Sequence, residues 1–319
     1  MEYLEQFAHI AYTVIGPIVL LAGAGYVLGR MVEPAATVLA KILLYILIPV
    51  YVFYNILRSS LGQAEAGSIV AFSGLALVGL YVAAQAASRL RRHDAPLRGA
   101  FTNTAILYNS ANFGIPVLAL AFSFDPDQEA YAVACQIIVA TCQGFAAYTF
   151  GAFIAAAGAG GVGHAMKKVF QLPFIYALAI ALALKGMGVT GAAMREITIV
   201  WRPLTILSDS YVAVALMTLG AQMATVRLVR MPVDLALSMG VRLLIGPLLG
   251  LALVFLLGIE GQLARILVIG VSGPSAVAGA VLAIEFRNRP DFAASAVFVS
   301  TLGAGLTVPI VIFLVRTLL

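Results

Sequence analysis

Val117–Val133 reads VLALAFSFDPDQEAYAV, and Val281–Val297 reads VLAIEFRNRPDFAASAV. The two align without a gap at a constant offset of 164 residues. Identical pairs include Val117/Val281, Phe122/Phe286, Pro126/Pro290, Asp127/Asp291 and Ala130/Ala294. An ungapped match of this quality marks an internal repeat, and a repeat constrains the architecture more than any single element does.

The composition says where that repeat lives. The 319 residues are 62% hydrophobic and only 10% charged, with a mean hydropathy of +1.03. A soluble domain of this length carries far more charge. The reading is an all-α polytopic membrane protein. The net charge of +5 implies no nucleic-acid partner, because the basic residues sit at the ends of apolar stretches. There they orient helices in a bilayer.

A helix needs about 20 apolar residues to cross the hydrocarbon core. Cutting at charges and polar turns predicts ten spans: 10–29, 38–58, 66–88, 98–122, 129–157, 169–186, 203–225, 232–257, 262–285 and 292–316. The glycine-rich stretch AAAGAGGVGHAMKK after the fifth span reads as a link. The expected organisation is a five-helix repeat over 1–157, a cytoplasmic link over 158–168 and a second repeat over 169–319. An odd number of spans per half makes the second enter the membrane from the opposite side. Such inverted repeats build many secondary transporters. With the N-terminus outside, loop Lys and Arg are biased two to one toward the cytoplasm. Both termini are therefore expected outside a multi-pass cell (inner) membrane protein. No basic region precedes the first apolar run, so it reads as a helix rather than a signal peptide.

The fourth span contains YNSANFGIP, Tyr108 to Pro116, in a stretch without a charge. The repeat offset places it over GVSGPSAVAG, Gly270 to Gly279, in the ninth. Proline removes a backbone donor and glycine weakens a helix. In lipid the freed N–H and C=O groups must be satisfied by protein or by a water-filled cavity. Two interrupted helices at matching positions of two halves point to a substrate site. The helix-break residues are Gly114, Pro116, Gly273 and Pro274.

Together these stretches resemble the auxin efflux carrier (PIN-like) family. NSANFGIP (Asn109 to Pro116) is similar to its fourth-helix motif. GPSAVAGAVLAIEF (Gly273 to Phe286) and RPDFAASAVFVSTL resemble its ninth and tenth helices, and LYILIPVYVFYNI (Leu44 to Ile56) its second. The short link resembles that of compact prokaryotic members. The resemblance implies ten helices with helices 4 and 9 broken and crossing, an architecture shared with bile-acid symporters and sodium–proton antiporters. It implies a carrier of a small organic anion (an auxin-like acid, malonate or malate) working by an elevator mechanism, proton-coupled or potential-driven. It implies substrate contacts from Asn109, from Gln136 in the fifth helix, and from Gly273, Pro274 and Ser275. Asn112, three residues after Asn109, shares its face on an intact helix; either or both could meet substrate. Ser110 rather than a proline stands opposite Pro274 in the repeat. The dimeric plant relatives imply a homodimer.

Two charged residues fall well inside predicted spans, Asp209 and Arg242. A charge there costs at least ~2.5 kcal/mol on insertion scales. The pair reads either as a structural ion pair or as a charge-coupling set, an anion-binding arginine with a proton-carrying aspartate. No catalytic set is expected: Ser275 has no histidine within a span, and His9, His93 and His164 lie near span edges. No metal ligand set or cofactor motif is present in the sequence. Cys135 and Cys142 are seven residues apart in one span, too far along a helix for a disulfide, and read as core. No acidic residue lies within 99–124 or 266–284, where a cation site at the crossing would need carboxylates, so a sodium-coupled symporter of the bile-acid type is the alternative rather than the first reading.

Overall fold

The computed structural model describes residues 5, 8–156 and 173–319, and no strand occurs among them. Among the described residues, seven helices are long and apolar enough to cross a membrane. The first five helices are α1 (Ala8–Met31), α2 (Ala35–Arg58), α3 (Gln63–Leu90), α4 (Ala95–Ile106) and α5 (Ser110–Ala121). They are followed by α6 (Pro126–Ala155), α7 (Pro173–Gly186) and a single turn, α8 (Gly191–Arg195). The chain ends with α9 (Thr198–Met223), α10 (Pro232–Leu256), α11 (Gly261–Val271), α12 (Val277–Glu285) and α13 (Pro290–Leu318). The second expected span, 38–58, is covered by α2, which starts three residues earlier at Ala35. The sixth is covered by α7, only 14 residues long, and 169–172 lie outside the described residues, as does the 158–168 link. The fourth and ninth expected spans are each two half-helices, α4/α5 and α11/α12.

Local chemistry starts these helices. Asp94 caps α4 by accepting from the Leu97 N–H at 2.9 Å, and Asp125 caps α6 by accepting from Asp127 and Gln128 N–H groups. Prolines occupy the first turns of α4, α6, α10 and α13, where their missing N–H costs nothing. The repeated Pro126/Pro290 and Asp127/Asp291 pairs are therefore helix-start grammar: a proline at the first turn with an acid at the positive end of the dipole.

Cations close several helix ends. Lys185 on α7 donates to the Ser59 carbonyl at 2.6 Å, at the C-terminus of α2. Arg316 on α13 donates to the Ala121 carbonyl at 2.9 Å, the last residue of α5. Each puts positive charge where a helix presents unpaired carbonyls.

The helices sort into two groups. α1 packs along α9, and α2 packs against α7 and α9. The α1–α9 contact is backbone-close: a Cβ on Gly25 would run into the Met217 carbonyl, and one on Gly220 into the Ala22 carbonyl. Small residues at these points are what let membrane helices approach. The second group holds α3, α4, α5, α6, α10, α11, α12 and α13, with the two broken helices at its centre. The groups meet where α2 touches α6 and α9 touches α5.

Candidate functional site

Helix α4 ends at Ile106 because the next residues turn extended: Leu107 has φ −94° and ψ 110°. Helix α11 ends at Val271, and Ala276, before α12, is extended at φ −79° and ψ 145°. The two extended segments run antiparallel and pair with each other through Tyr108 and Ser275. The Asn109 N–H donates to the Pro274 carbonyl at 2.8 Å, and the Ala276 N–H donates to the Leu107 carbonyl at 2.8 Å. Each break thus supplies backbone partners that the other lacks, as an apolar environment demands.

Side chains satisfy the groups that remain. The Tyr108 N–H donates to Gln143 Oε1 at 3.2 Å, and Gln136 Nε2 donates to the Ser110 carbonyl at 2.9 Å. Ser275 Oγ donates to the Thr104 carbonyl at 2.6 Å, while its N–H donates to Ser300 Oγ at 3.1 Å. Arg242 is fully buried. Its guanidinium donates to the Ala105 carbonyl at 2.9 Å and to the Val271 carbonyl, and lies 4.8 Å from the centre of the Tyr108 ring. One cation therefore closes the C-terminal ends of both α4 and α11, where two helix dipoles place negative potential.

The opposite ends behave in the complementary way. The first turns of α5 and α12 border a common cavity of about 240 Å³. Asn109, Ser110 and Asn112 line it from one break, and Ala276, Val277 and Ala278 from the other. Gln143 adds an amide, and Ile48, Val52 and Phe174 form an apolar wall from α2 and α7. Among the described residues no side chain caps α12, which leaves the N–H groups at its start available to a ligand. Asn109 Oδ1 accepts from the Asn112 N–H at 3.2 Å, capping α5. Its Nδ2 is buried and has no hydrogen-bond partner among the described residues. Two helix N-termini bordering one cavity form a site that favours negative charge.

The structure distributes the expected site residues among different tasks. Asn109 and Asn112 line the cavity. Gln136 lies behind the break, fully buried, wedged between Gly114 and Gly270, where a Cβ on either glycine would strike its amide. Gly273, Pro274 and Ser275 form the strand-like crossing, and the cavity edge begins at Ala276, one residue further on. Pro116 sits in the first turn of the regular part of α5. Asp209 is exposed on α9, and no ion pair joins it to Arg242 among the described residues. The sequence pattern does not single out Gln143, although it lies seven residues after Gln136, two turns along the same helix face.

Residues 162–312 match the family described as Membrane transport protein. That span includes the second broken helix, α11 and α12. No curated relative matches the chain.

Proposed function

We propose that this chain, which belongs to the membrane transport protein family of auxin-efflux-carrier-like transporters, is a secondary carrier of a small organic anion. The observation that carries this reading is the convergence of the α5 and α12 N-termini on one cavity that Asn109, Asn112 and Gln143 also line. A carboxylate accepts hydrogen bonds from such donors, and charge assistance makes them strong. The small cavity and its apolar wall suit a compact organic acid with a short hydrocarbon or ring portion.

The ten-helix inverted repeat belongs to the same reading, with halves at 1–157 and 169–319 joined through 158–168, in the cell membrane with both termini outside. Two observations support it. The 164-residue offset places Asn109 on Gly273 and Ser110 on Pro274. The backbone pairing of Asn109 with Pro274 falls at that same point of the repeat. An elevator movement is supported by the cavity's position: α2 and α7 wall one side, and the broken helices the other. Sliding the second group past the first would carry the site with it. Transport is proton-coupled or driven by membrane potential; one charge crossing 100 mV is worth about 2.3 kcal/mol.

The test is a solid-supported-membrane screen of the purified protein against monocarboxylates, dicarboxylates and indole acids, paired with thermal shift. The expected result is a current and a stabilisation with at least one acid class. Transport of a neutral or cationic solute with no response to any acid would overturn the assignment.

A further inference from the structure

A second cavity, of about 860 Å³, opens between α3, α4 and the end of α6, away from the helix crossing. Its lining is graded along the helix axis. On α3 the lining comprises Gly74, Leu75, Leu77, Val78, Tyr81, Gln85 and Arg89; of these, Gly74, Val78, Tyr81, Gln85 and Arg89 are spaced three or four apart and so share one face. Polarity rises steadily in that order: no side chain, an aliphatic, an amphipathic phenol, an amide, a cation. From Val78 to Arg89 the rise is about 16 Å.

The facing wall is graded the same way. Arg98 stands near the start of α4 and Ile106 at its end, and α4 runs antiparallel to α3 across the short loop between them. Both arginines therefore lie at one end of the cavity. Phe150, Phe153 and Ile154 of α6 supply apolar surface beside it. Phe150 and Phe153 are more than 60% exposed, so the cavity opens sideways onto the surface that a bilayer covers. Among the described residues no acidic side chain lines it. Among the described residues the Arg98 side chain makes one hydrogen bond, to the His93 carbonyl at 3.2 Å, and Arg89 has no ion-pair partner.

The geometry points to a binding site for an anionic phospholipid, its headgroup phosphate between Arg89 and Arg98 and its acyl chains along Val78 and the α6 aromatics. The gradient matches a lipid's own, from phosphate through the polar ester region to hydrocarbon. Basic pockets between membrane helices take headgroups in this manner. A soluble anion would use the arginines and leave the apolar slot unfilled. A zwitterionic phospholipid offers the same phosphate but brings an ammonium that the two arginines repel.

Native mass spectrometry tests this on the full chain in detergent with equal amounts of phosphatidylglycerol and phosphatidylethanolamine added, independently of any transport. The expected result is preferential retention of phosphatidylglycerol. Retention should fall about tenfold in Arg89→Gln/Arg98→Gln, and also in Val78→Trp, which fills the slot and leaves both arginines. Arg92→Gln, at the same end but outside the cavity, should retain it fully. Equal retention of the two lipids overturns the proposal, and so does undiminished retention in the double variant. Loss in Arg92→Gln as great as in the double variant, or full retention in Val78→Trp, would reduce the effect to surface charge and overturn it too. A melting temperature for each variant identifies any that fails to fold; for such a variant, Arg89→Lys/Arg98→Lys replaces it and should keep the preference.

Discussion

The Asn109 N–H donates to the Pro274 carbonyl at 2.8 Å, joining the middle of one broken helix to the middle of the other. The asparagine's backbone is thus committed to the crossing, and its side chain is left for two further tasks. Oδ1 caps α5, and Nδ2 lies buried and unused. The two tasks can be separated by substitution. Asn109→Asp keeps the capping oxygen and replaces the donor by a negative charge. It should fold with a near-native melting temperature and lose carboxylate binding by more than about tenfold, at least 1.4 kcal/mol. Asn109→Ala removes both and should cost about 1 kcal/mol of cap stability as well. Thermal unfolding with and without ligand reads both effects; unchanged ligand stabilisation in either variant would remove Asn109 from the site.

Arg242 should matter for folding before it matters for binding. It satisfies the Ala105 and Val271 carbonyls at once, and hydrogen bonds to charged groups are worth about 1.5–3 kcal/mol each. Arg242→Met should lower stability by several kcal/mol. Arg242→Lys should recover only part, because an ammonium lacks the planar fork that spans both carbonyls. Equal melting temperatures for arginine and lysine would show that the fork is not what holds the two helix ends.

Gln136 is held in a slot made by two glycines. Gly114→Ala would push a methyl group against its amide and pull Nε2 from the Ser110 carbonyl. Overpacking with loss of a buried hydrogen bond costs about 1–3 kcal/mol. The double variant Gly114→Ala/Gln136→Ala should be less destabilised than the sum of the singles, since the clash disappears with the amide. Strict additivity in chemical or thermal denaturation would count against the wedge.

Asp94 gives a pH signature outside the membrane. Its hydrogen bond with Arg289 at 2.8 Å, followed by the cap on Leu97, holds the carboxyl below its ordinary 3.8. A depressed carboxylate contributes stability that is fully present above its unfolded value. That contribution is lost as pH falls through the folded value. The melting-temperature gap between wild type and Asp94→Asn should therefore be constant from pH 8 to about 5 and close at pH below about 4. A gap that widens on acidification would contradict the assignment.

Much of this architecture is readable from residue order alone. Apolar runs bounded by charge locate the long helices, and the repeat at Val117 and Val281 locates both breaks. The pairing of the breaks is harder to read. Antiparallel hydrogen bonding between the Tyr108 and Ser275 segments is a contact between residues far apart in the chain, and no local pattern encodes it. Arg242 illustrates a different limit. Its depth in a span is legible, and a carboxylate such as Asp209 is a natural partner to expect. Its actual acceptors are carbonyls at helix ends, which every residue possesses and no sequence distinguishes. Lys185 and Arg316 read only as loop charges for the same reason, yet each closes a helix terminus. Ala276, Val277 and Ala278 carry no functional side chain; what they offer the cavity is backbone at a helix start.

The guanidinium that closes α4 and α11 belongs to α10, in the same group of helices as the cavity. If that group is the moving part, the site crosses the field as a cation when empty and as a neutral complex when it holds a monoanion. Voltage then acts on the return of the unloaded carrier, with about 2.3 kcal/mol per 100 mV for one charge, and leaves the loaded passage nearly indifferent to it. A dianion gives the loaded form a net negative charge while the empty form stays cationic, so both passages then respond to potential. Currents evoked by mono- and dicarboxylates would therefore differ in whether the loaded half of the cycle responds to potential, although each cycle still moves the anion's own charge once.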